Sequence, residues 1–216
     1  GALMWDAIAP ATPRAVGGLI LGADPLVCAV SATAWSGGER VTGFFVRKES
    51  PMRSVADLKG KRIPYGYTAQ VTLKSVTDGF LANAGLSAAD VKTVLVPNVI
   101  RGADEFISGR AEAGFFALGA GKVAEANASV GRIRFLDMDD SPPAVARMQK
   151  VLPEAYIVKV DPGPAFAGVL APTRLMAYDY ILLAGKHVKN EVVAKIVETL
   201  AANKAALIEN FAGYRG

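Results

Sequence analysis

The sequence contains one cysteine, Cys28, and one histidine, His187. A lone cysteine excludes a disulfide within the chain, and in its apolar surroundings it is expected to pack as a small hydrophobic side chain. Zinc sites rich in cysteine and histidine are excluded too, and catalysis by a Cys–His pair is disfavoured because the two residues lie in unrelated contexts. The sequence therefore predicts no metal, no cofactor and no catalytic residue, and it favours a protein that is not an enzyme.

Long apolar runs and runs of basic residues are also missing. The most apolar stretch, Ala15–Ala34, is interrupted by Gly22–Pro25, so it is too broken to span a membrane. The first ten residues lack the charged start and the apolar core of a secretion signal, so a signal has either been removed or never existed. The net charge of +4 is scattered among acidic residues, which argues against a nucleic-acid partner.

The 216 residues, of which 51% are hydrophobic and 20% charged, are enough for one large or two small folded domains. From Val41 onwards, strand-like and helix-like segments alternate with short loops between them, which predicts an α/β fold with a mainly parallel sheet flanked by helices. Ser54 and Asp57 have the spacing of a capping box, and Gly60 is placed to end that turn. The start of the chain resembles the third or fourth element of such a domain, so the domain's beginning is expected to be missing.

The predicted elements follow from these patterns. Strands are predicted within 41–50, 61–65, 92–96, 112–118, 132–138 and 177–185, and helices within 70–84, 100–109 and 122–128, from Pro142 or Pro143, and from about Lys189. The last helix is expected to bury an apolar stripe made of Val192, Val193, Ile196, Val197, Leu200, Leu207, Ile208 and Phe211.

Ligands of open α/β sheets bind beyond the carboxyl ends of the strands. The helix that begins near Gln70 is expected to present unpaired backbone N–H groups and a positive dipole end, to which Thr68 adds a hydroxyl and Gln70 an amide. Thr68 acting only as a helix cap is the alternative. Arg101 is the candidate counter-ion, the alternative being a solvated arginine. The predicted ligand-binding residues are Trp5, Asp6, Tyr65, Tyr67, Thr68, Ala69, Gln70, Asn98, Arg101, Leu118, Gly119 and Phe166.

Two short motifs do not predict a site. The "GAGK" segment at Gly119–Lys122 lacks the first glycine and the final Ser or Thr of a Walker phosphate loop, since Phe116 and Val123 occupy those positions. The "DMDDS" segment at Asp137–Ser141 carries three carboxylates but lacks the spacing and the turn glycine of a calcium loop, so a solvated acidic turn is expected.

Three segments carry a family resemblance: "VRKESPMRSVADLKGKRIPYGY", "LANAGLSAADVKTVLV" and "ISGRAEAGFFALG". Together with the closing section "AYIVKVDPGPAFAG…NKAAL", they resemble the TAXI family of TRAP-transporter solute receptors, which have the type II periplasmic binding protein fold. The "DLKGKR" element is shared more widely with nitrate, sulfonate and thiamine-precursor receptors. The sequence departs from the TAXI pattern at 67–70, which replaces Ser-Gly-Thr, at Glu112, which replaces Asp, and in lacking the family's N-terminal ligand loop.

The resemblance implies a two-lobed α/β receptor with a ligand cleft between the lobes. Lobe I would comprise 1–48 and 173–216, incomplete at its N-terminal end, and lobe II would comprise 49–172. Its implied function is a monomeric periplasmic receptor, synthesised with a signal peptide, that delivers a small anionic solute to the membrane subunits of a TRAP transporter. A carboxylate or an amino acid such as glutamate is the implied solute.

Three other functions remain open on the sequence. One is an ABC-type binding protein for nitrate, sulfonate or a thiamine precursor, and another is the ligand-sensing domain of a regulator. The third is an enzyme of the same fold group, for which a cofactor-bearing cysteine or a positioned acid would be needed; the apolar setting of Cys28 argues against the cysteine.

Overall fold

The computed structural model describes residues 28–31, 39–179, 181–184 and 189–206. Of these, Val41–Ala177 form one compact unit, and the remaining described residues belong to a second. The predicted lobe boundaries, 48/49 and 172/173, differ from these limits by a few residues and stay a prediction. Trp5, Asp6 and His187 lie outside the described residues.

The described residues form nine strands and five α-helices. The strands are β1 (Cys28–Ser31), β2 (Glu39–Arg47), β3 (Arg62–Tyr65), β4 (Lys92–Leu95), β5 (Gly114–Ala117), β6 (Ile133–Phe135), β7 (Tyr156–Val160), β8 (Thr173–Asp179) and β9 (Ile181–Ala184). The helices are α1 (Thr72–Asn83), α2 (Val99–Ile107), α3 (Gly121–Ser129), α4 (Pro142–Val151) and α5 (Asn190–Ala202).

Strand pairing within Val41–Ala177 corrects the expectation of a mainly parallel sheet. β3 and β4 pair in parallel, with Arg62 opposite Lys92. β2 is antiparallel to both β5 and β6, and β7 is antiparallel to β8. Because β2 runs opposite to β5 and β6, its last residue, Arg47, lies beside the amino end of β6 at Ile133.

Local sequence signals determine where several elements begin and end. The capping box predicted for Ser54 and Asp57 is present, and it opens a 3₁₀ turn that Gly60 follows with a φ of +73°. A second capping box joins Ser87 to Asp90, as its spacing also predicts. Proline stands in the first turn of α4, where its missing N–H costs no hydrogen bond.

An aromatic cluster forms the centre of the core between the sheet and the helices. Phe44 on β2 lies 5.6 Å from Phe80 on α1 and 5.0 Å from Phe115 on β5, measured between ring centroids. On the other face of β2, Phe45 contacts Phe106 on α2 at 5.1 Å and Phe135 on β6 at 5.6 Å. Adjacent residues of a strand point to opposite faces, so β2 ties together helices on both sides of the sheet.

The prediction of a buried stripe on the last helix is wrong for its described part. No residue of α5 is buried, and Val192 and Ile196 are exposed. The helical spacing of the apolar residues is correct, but spacing indicates only which residues share a face and not whether that face is covered.

The acidic segment after β6 is held by an arginine. Arg174 on β8 forms ion pairs with Asp137 and, at 2.8 Å, with Asp140. Both carboxylates raise the pKa of the Arg174 guanidinium, with Asp137 the larger cause. Asp139 instead accepts a hydrogen bond from the backbone N–H of Ser141 at 2.8 Å. The three carboxylates are therefore distributed among protein partners rather than gathered around a common point.

Candidate functional site

The loops that follow β3, β4 and β5 lie at the carboxyl ends of the two-stranded β3–β4 sheet and of β5 in the five-stranded sheet, and we call residues 66–72, 96–101 and 118–122 the carboxyl edge. The first two loops are joined directly, because the backbone N–H of Thr68 donates to the Val96 carbonyl at 3.1 Å and that of Ala69 donates to Pro97 at 2.9 Å. This arrangement brings Thr68, Ala69 and Gln70 together with Asn98.

Two predicted binding side chains at this edge cap α2. The Asn98 carboxamide oxygen accepts from the backbone N–H of Arg101 at 2.9 Å, as an N-cap residue does. The Gln70 side-chain oxygen accepts from the backbone N–H of Val99 at 3.0 Å. Both oxygens are thus engaged within the protein, whereas the amide nitrogens of these two side chains have no hydrogen-bond acceptor among the described residues.

The prediction of unpaired backbone N–H groups near Gln70 is wrong for three of these groups. Those of Thr68, Ala69 and Gln70 donate to carbonyls of Val96, Pro97 and Tyr67. The reason is that the chain makes one extra turn before α1 begins at Thr72. Within the described part of the chain, the N–H groups of the carboxyl edge that have no acceptor include those of Val71, Thr72, Ile100, Gly121 and Lys122.

Four of these N–H groups, those of Val71, Thr72, Gly121 and Lys122, lie at helix starts that have no side-chain cap. Neither Val71, the N-cap of α1, nor Ala120, the N-cap of α3, offers a capping side chain. A β-carbon built on Gly121 meets no other atom within 4 Å, so the start of α3 is sterically accessible. Uncapped N–H groups at the positive end of a helix are a common setting for oxyanions.

Each of the three helices also carries a basic residue and no acidic residue in its first turn. The basic residues are Lys74 on α1, Arg101 on α2 and Lys122 on α3. This placement opposes the usual preference for acidic side chains at helix starts. The carboxyl edge therefore combines helix-dipole ends with cationic side chains.

A shared carboxylate links two of these cations. Asp104 on α2 contacts the Lys122 ammonium at 2.7 Å through one oxygen and the Arg101 guanidinium at 3.2 Å through the other. The pKa of Asp104 is lowered, mainly by Lys122 and less by Arg101, and the pKa of Lys122 is raised by Asp104. The side chain of Arg101 is 57% exposed, so its guanidinium still has donors directed to solvent.

The third cation is tied to a predicted site residue, Tyr65. The Tyr65 hydroxyl donates to Asp78 at 2.6 Å, and the Lys74 ammonium contacts the same carboxylate at 2.7 Å and lies 5.5 Å from the Tyr65 ring centroid. Burial and then Asp78 raise the pKa of Tyr65, while Asp78 raises the pKa of Lys74. Tyr65 is largely buried, so it positions Lys74 instead of forming an open wall.

The structure places Tyr67 in the core, which corrects its expected place at the surface of the site. Its side chain is fully buried, and its ring centroid lies 6.4 Å from that of Phe115. The residue has a φ of +40°, a left-handed conformation that is uncommon outside glycine. Burial raises the pKa of Tyr67 above the range of a solvated tyrosine.

The remaining predicted residues lie in or beside the third loop of the carboxyl edge. Leu118 is buried, and its backbone N–H donates to Val41 at 2.9 Å. Gly119 has a φ of +75°, and a β-carbon built on it would lie 3.9 Å from the Phe166 ring. Phe166 is 37% exposed, so its ring covers Gly119 and still reaches solvent.

Exposed apolar side chains stand beside the polar groups of this edge. Leu95 is 74% exposed at the end of β4, and Val71 and Ile100 are exposed at the starts of α1 and α2. Phe166, which lies against Gly119, adds to the apolar surface beside the polar groups of this edge, a combination found in small-molecule sites. The arrangement is suited to hold a small organic anion.

Sequence reasoning missed several of these residues. Lys122 belongs to the "GAGK" segment, which is not a Walker motif and therefore predicts no site on that ground. A glycine-rich loop followed by a lysine at a helix start is nevertheless a signal for anion binding. Val71, Leu95 and Ile100 carry no such signal, because an exposed apolar residue in a sequence resembles a core residue.

Among the described helices, none has both the length and the hydrophobicity of a membrane span.

Similarity to solved structures identifies the fold. The alkanesulfonate-binding protein SsuA from Xanthomonas axonopodis pv. citri, solved with MOPS bound, aligns with a TM-score of 0.50 and 18% identity, covering 89% of this chain and 53% of that one. The periplasmic aliphatic sulphonate binding protein SsuA from Escherichia coli aligns with a TM-score of 0.49 and 19% identity over 88% of this chain and 51% of that one. The predicted class, an α/β fold of the type II periplasmic binding proteins, is confirmed, and the chain spans about half the length of these structures.

A curated relative of another kind matches a shorter segment. Orotate phosphoribosyltransferase from Tropheryma whipplei is 37% identical over 70 residues, which cover 29% of this chain and 33% of the enzyme. The match spans about a third of either protein and does not show a family. The NMT1/THI5-like family model, in contrast, matches residues 30–157, more than half of the chain. The chain therefore belongs to the NMT1/THI5-like family.

Proposed function

We propose that the protein is a solute receptor that binds a small organic anion at the carboxyl edge. The observation that carries the proposal is the coincidence of open N–H groups and first-turn cations at the starts of α1, α2 and α3. A helix start alone binds anions weakly, but three that converge on one edge direct several donors to a common region.

The solute class follows from the mixture of groups. Arg101 supplies a guanidinium that can pair with a carboxylate or sulfonate through two hydrogen bonds, and Lys122 supplies a point charge. Leu95, Ile100 and Phe166 supply apolar surface for an organic tail. A carboxylate or an amino acid such as glutamate fits this description, and so does an alkanesulfonate.

The receptor is proposed to be periplasmic and to deliver its solute to a membrane transporter. Two transporter classes are in question. The family match and the likeness to alkanesulfonate-binding proteins support an ABC-type receptor of the nitrate, sulfonate or thiamine-precursor kind at least as well as a TRAP receptor, which rests on the motif resemblance.

A receptor is favoured over an enzyme by the extent of the similarities. The likeness to a binding protein covers 89% of this chain, whereas the likeness to the phosphoribosyltransferase covers 29%. The candidate residues at the carboxyl edge also have roles in binding an anion without any step of covalent chemistry.

Titration calorimetry of the full chain tests the proposal. A panel of glutamate, succinate, ethanesulfonate and MOPS is titrated, with neutral ethanol and cationic lysine methyl ester as controls. We expect saturable binding of at least one anion and of neither control, with an affinity that falls as salt is raised. No binding by any anion would contradict the proposal, and the ranking of carboxylates against sulfonates distinguishes the two solute classes.

A pair of arginine variants locates the site. Arg101→Ala removes a charge-assisted contact worth about 1.5–3 kcal/mol, so we expect affinity to fall about 10- to 100-fold. Arg110→Ala is the matched control, because Arg110 is also exposed and paired with a carboxylate, that of Glu105, but lies at the other end of α2. An equal loss in both variants would show that net charge, and not the carboxyl edge, governs binding.

A further inference from the structure

Positive charge is concentrated around the amino ends of β3, β4, β5 and β6, opposite the carboxyl edge. Segments 47–62, 90–92, 105–112 and 132–134 contain ten of the chain's 24 Lys and Arg residues but five of its 20 Asp and Glu residues. The rest of the chain is close to neutral. We call the ten basic residues the basic rim: Arg47, Lys48, Arg53, Lys59, Lys61, Arg62, Lys92, Arg110, Arg132 and Arg134.

Hydrogen bonds join the rim segments at the amino ends of β3, β4 and β5 to one another. The backbone N–H of Lys92 donates to the carbonyl of Lys61 at 2.8 Å, and that of Gly60 donates to Asp90 at 2.7 Å. The Arg62 side chain donates to the carbonyl of Arg110 at 2.8 Å. The amino ends of β3 and β4 and the segment before β5 are therefore in contact.

The other half continues along β2 and β6. The Arg47 guanidinium lies 5.9 Å from the ring centroid of Phe106, which is on the same helix end as Arg110. The backbone N–H of Lys48 donates to the carbonyl of Arg132 at 3.1 Å. The side chains of Arg53 and Arg134 both donate to the carbonyls of Ser50 and Met52.

Four of the five acidic residues among these segments are engaged within the protein, and the fifth, Glu49, is exposed. Asp57 and Asp90 accept bonds within their capping boxes, Glu105 pairs with Arg110, and Glu112 accepts from the backbone N–H of Arg62 at 3.0 Å. Seven of the ten basic side chains are exposed and three are half-buried. Arg53 and Arg134 share carbonyl acceptors, so their charges are brought together without a carboxylate bonded between them. Burial and then Arg53 lower the pKa of Arg134, whereas Glu49 raises it.

We propose that the basic rim binds the surface of a bilayer that contains anionic phospholipids. A bilayer surface requires only accessible positive charge, to which each Lys or Arg near the lipid headgroups adds about fivefold in partitioning. The described rim segments expose no large apolar residue, and their aromatic residue, Phe106, is buried. Protein interfaces are centred on apolar and aromatic residues, and single-stranded nucleic acid binds by stacking on aromatic rings, so both are disfavoured.

This inference is independent of the solute proposal, because the basic rim and the carboxyl edge lie at opposite ends of the strands. A receptor that binds the membrane surface would keep its carboxyl edge directed away from the headgroups. It would also stay near membrane-embedded partners.

Co-sedimentation of the full chain with sucrose-loaded vesicles tests the inference. Vesicles of phosphatidylcholine containing 0, 20 or 40% phosphatidylglycerol are compared in 20 mM and 300 mM salt. We expect no binding to neutral vesicles, binding that rises with phosphatidylglycerol, and loss of at least tenfold in the higher salt, because surface charges are screened within about a Debye length. Absence of binding to 40% phosphatidylglycerol at low salt would overturn the proposal.

Two triple variants locate the contact. Neutralising Lys59, Lys61 and Lys92 together to Gln is expected to lower partitioning about 100-fold, at about fivefold for each charge. The control variant neutralises Lys150, Lys159 and Lys195, which are exposed outside the basic rim, and is expected to lose far less.

The remaining outcomes are also decisive. An equal loss in both triple variants would overturn the proposal, as would binding of a short DNA duplex in the absence of vesicle binding, which would assign a nucleic-acid partner. If the rim variant does not fold, as judged by circular dichroism, the salt and lipid dependence of the unmodified chain still decides the question. Calorimetry with the solute panel is run on the same samples, so failure of vesicle binding leaves the carboxyl-edge result separate.

Discussion

The side-chain oxygen of Gln70 accepts a hydrogen bond from the backbone N–H of Val99 at 3.0 Å. Gln70 lies in the loop after β3, and Val99 is the first residue of the helix that follows β4. One side chain thus caps a helix in the neighbouring β-α unit and fixes the two loops of the carboxyl edge relative to each other. The capping oxygen comes from 29 residues away in the sequence, so it differs from an ordinary N-cap.

Replacing Gln70 by alanine is expected to destabilise the protein by about 1 kcal/mol, the usual value for loss of a helix-capping side chain. Urea unfolding followed by circular dichroism measures the change. Thr68→Ala is the control from the same loop, because the Thr68 side chain is exposed and has no hydrogen bond among the described residues. Equal effects of the two substitutions would show that the Gln70 cap contributes nothing to stability.

Elements with strong local signals could be predicted from the sequence. The capping boxes at Ser54 and Ser87, the glycines that end turns, and the helical spacing in α1 place strands and helices within a few residues of their true limits. These signals succeed because the interactions that produce them lie within a few residues of one another.

Features that depend on distant partners could not be predicted. The antiparallel course of β2 depends on its pairing with β5 and β6, which begin some 70 or more residues later. Tyr67 resembles a surface loop residue in the sequence, yet its left-handed backbone accompanies a ring buried beside Phe115. The open N–H groups lie one to two residues beyond Gln70 because carbonyls of a neighbouring loop use the earlier ones.

Adding a methyl group at Gly114 is expected to destabilise the protein by about 2 kcal/mol or more. A β-carbon there would overlap the ring of Phe45, which is fully buried between Phe106 and Phe135 and has no room to move. Chemical unfolding of Gly114→Ala measures the loss.

Gly121→Ala is its matched control. A β-carbon at Gly121 meets no atom within 4 Å, and alanine is the better helix former, so stability should stay the same or rise by up to about 1 kcal/mol. A Gly114→Ala variant as stable as this control would contradict the close packing of β5 against Phe45.

Stability is expected to depend on pH through Glu154. One oxygen of this carboxyl group is buried without a hydrogen-bond partner among the described residues, and burial raises its pKa to about 8. The folded chain therefore keeps a proton that the unfolded chain releases above about pH 4.5. The protonated Glu154 carboxyl group therefore makes its full contribution to the unfolding free energy below about pH 4.5, and this contribution is lost as the pH rises to about 8.

Glu154→Gln removes the ionisation. We expect the variant to match the unmodified protein near pH 4 and to be more stable by about 1–3 kcal/mol at pH 8, because glutamine stays neutral where the half-buried Glu154 must ionise, with the pKa difference discounted for solvent screening. Urea unfolding at intervals of one pH unit measures the difference. Glu198→Gln, on the exposed part of α5, serves as the control, and the same pH trend in both variants would exclude Glu154 as its source.

A substitution of Asp104 tests how the positive charges of Arg101 and Lys122 at the carboxyl edge are balanced. Its two oxygens contact the Lys122 ammonium and the Arg101 guanidinium, so Asp104→Asn leaves both cations without this carboxylate. A partly exposed pair of contacts contributes little to folding, and we expect a loss of under about 1 kcal/mol in unfolding free energy. The edge gains one unit of positive charge, so affinity for an anionic solute should rise about two- to tenfold at low salt and converge with the unmodified protein at high salt.

The pH dependence of the unfolding free energy in acid tests the same substitution independently. The pKa of Asp104 is lowered in the folded protein, chiefly by Lys122, so its contribution is present above about pH 4 and is lost as the pH falls through the lowered value. The Asn variant should lose less stability than the unmodified protein between pH 4 and 2.

Asp90→Asn, whose carboxylate belongs to a capping box at the opposite end of the strands, should leave solute affinity unchanged. Weaker solute binding by Asp104→Asn would mean that this carboxylate holds Arg101 and Lys122 in place for the solute, because removing a negative charge can only favour an anion unless the cations move.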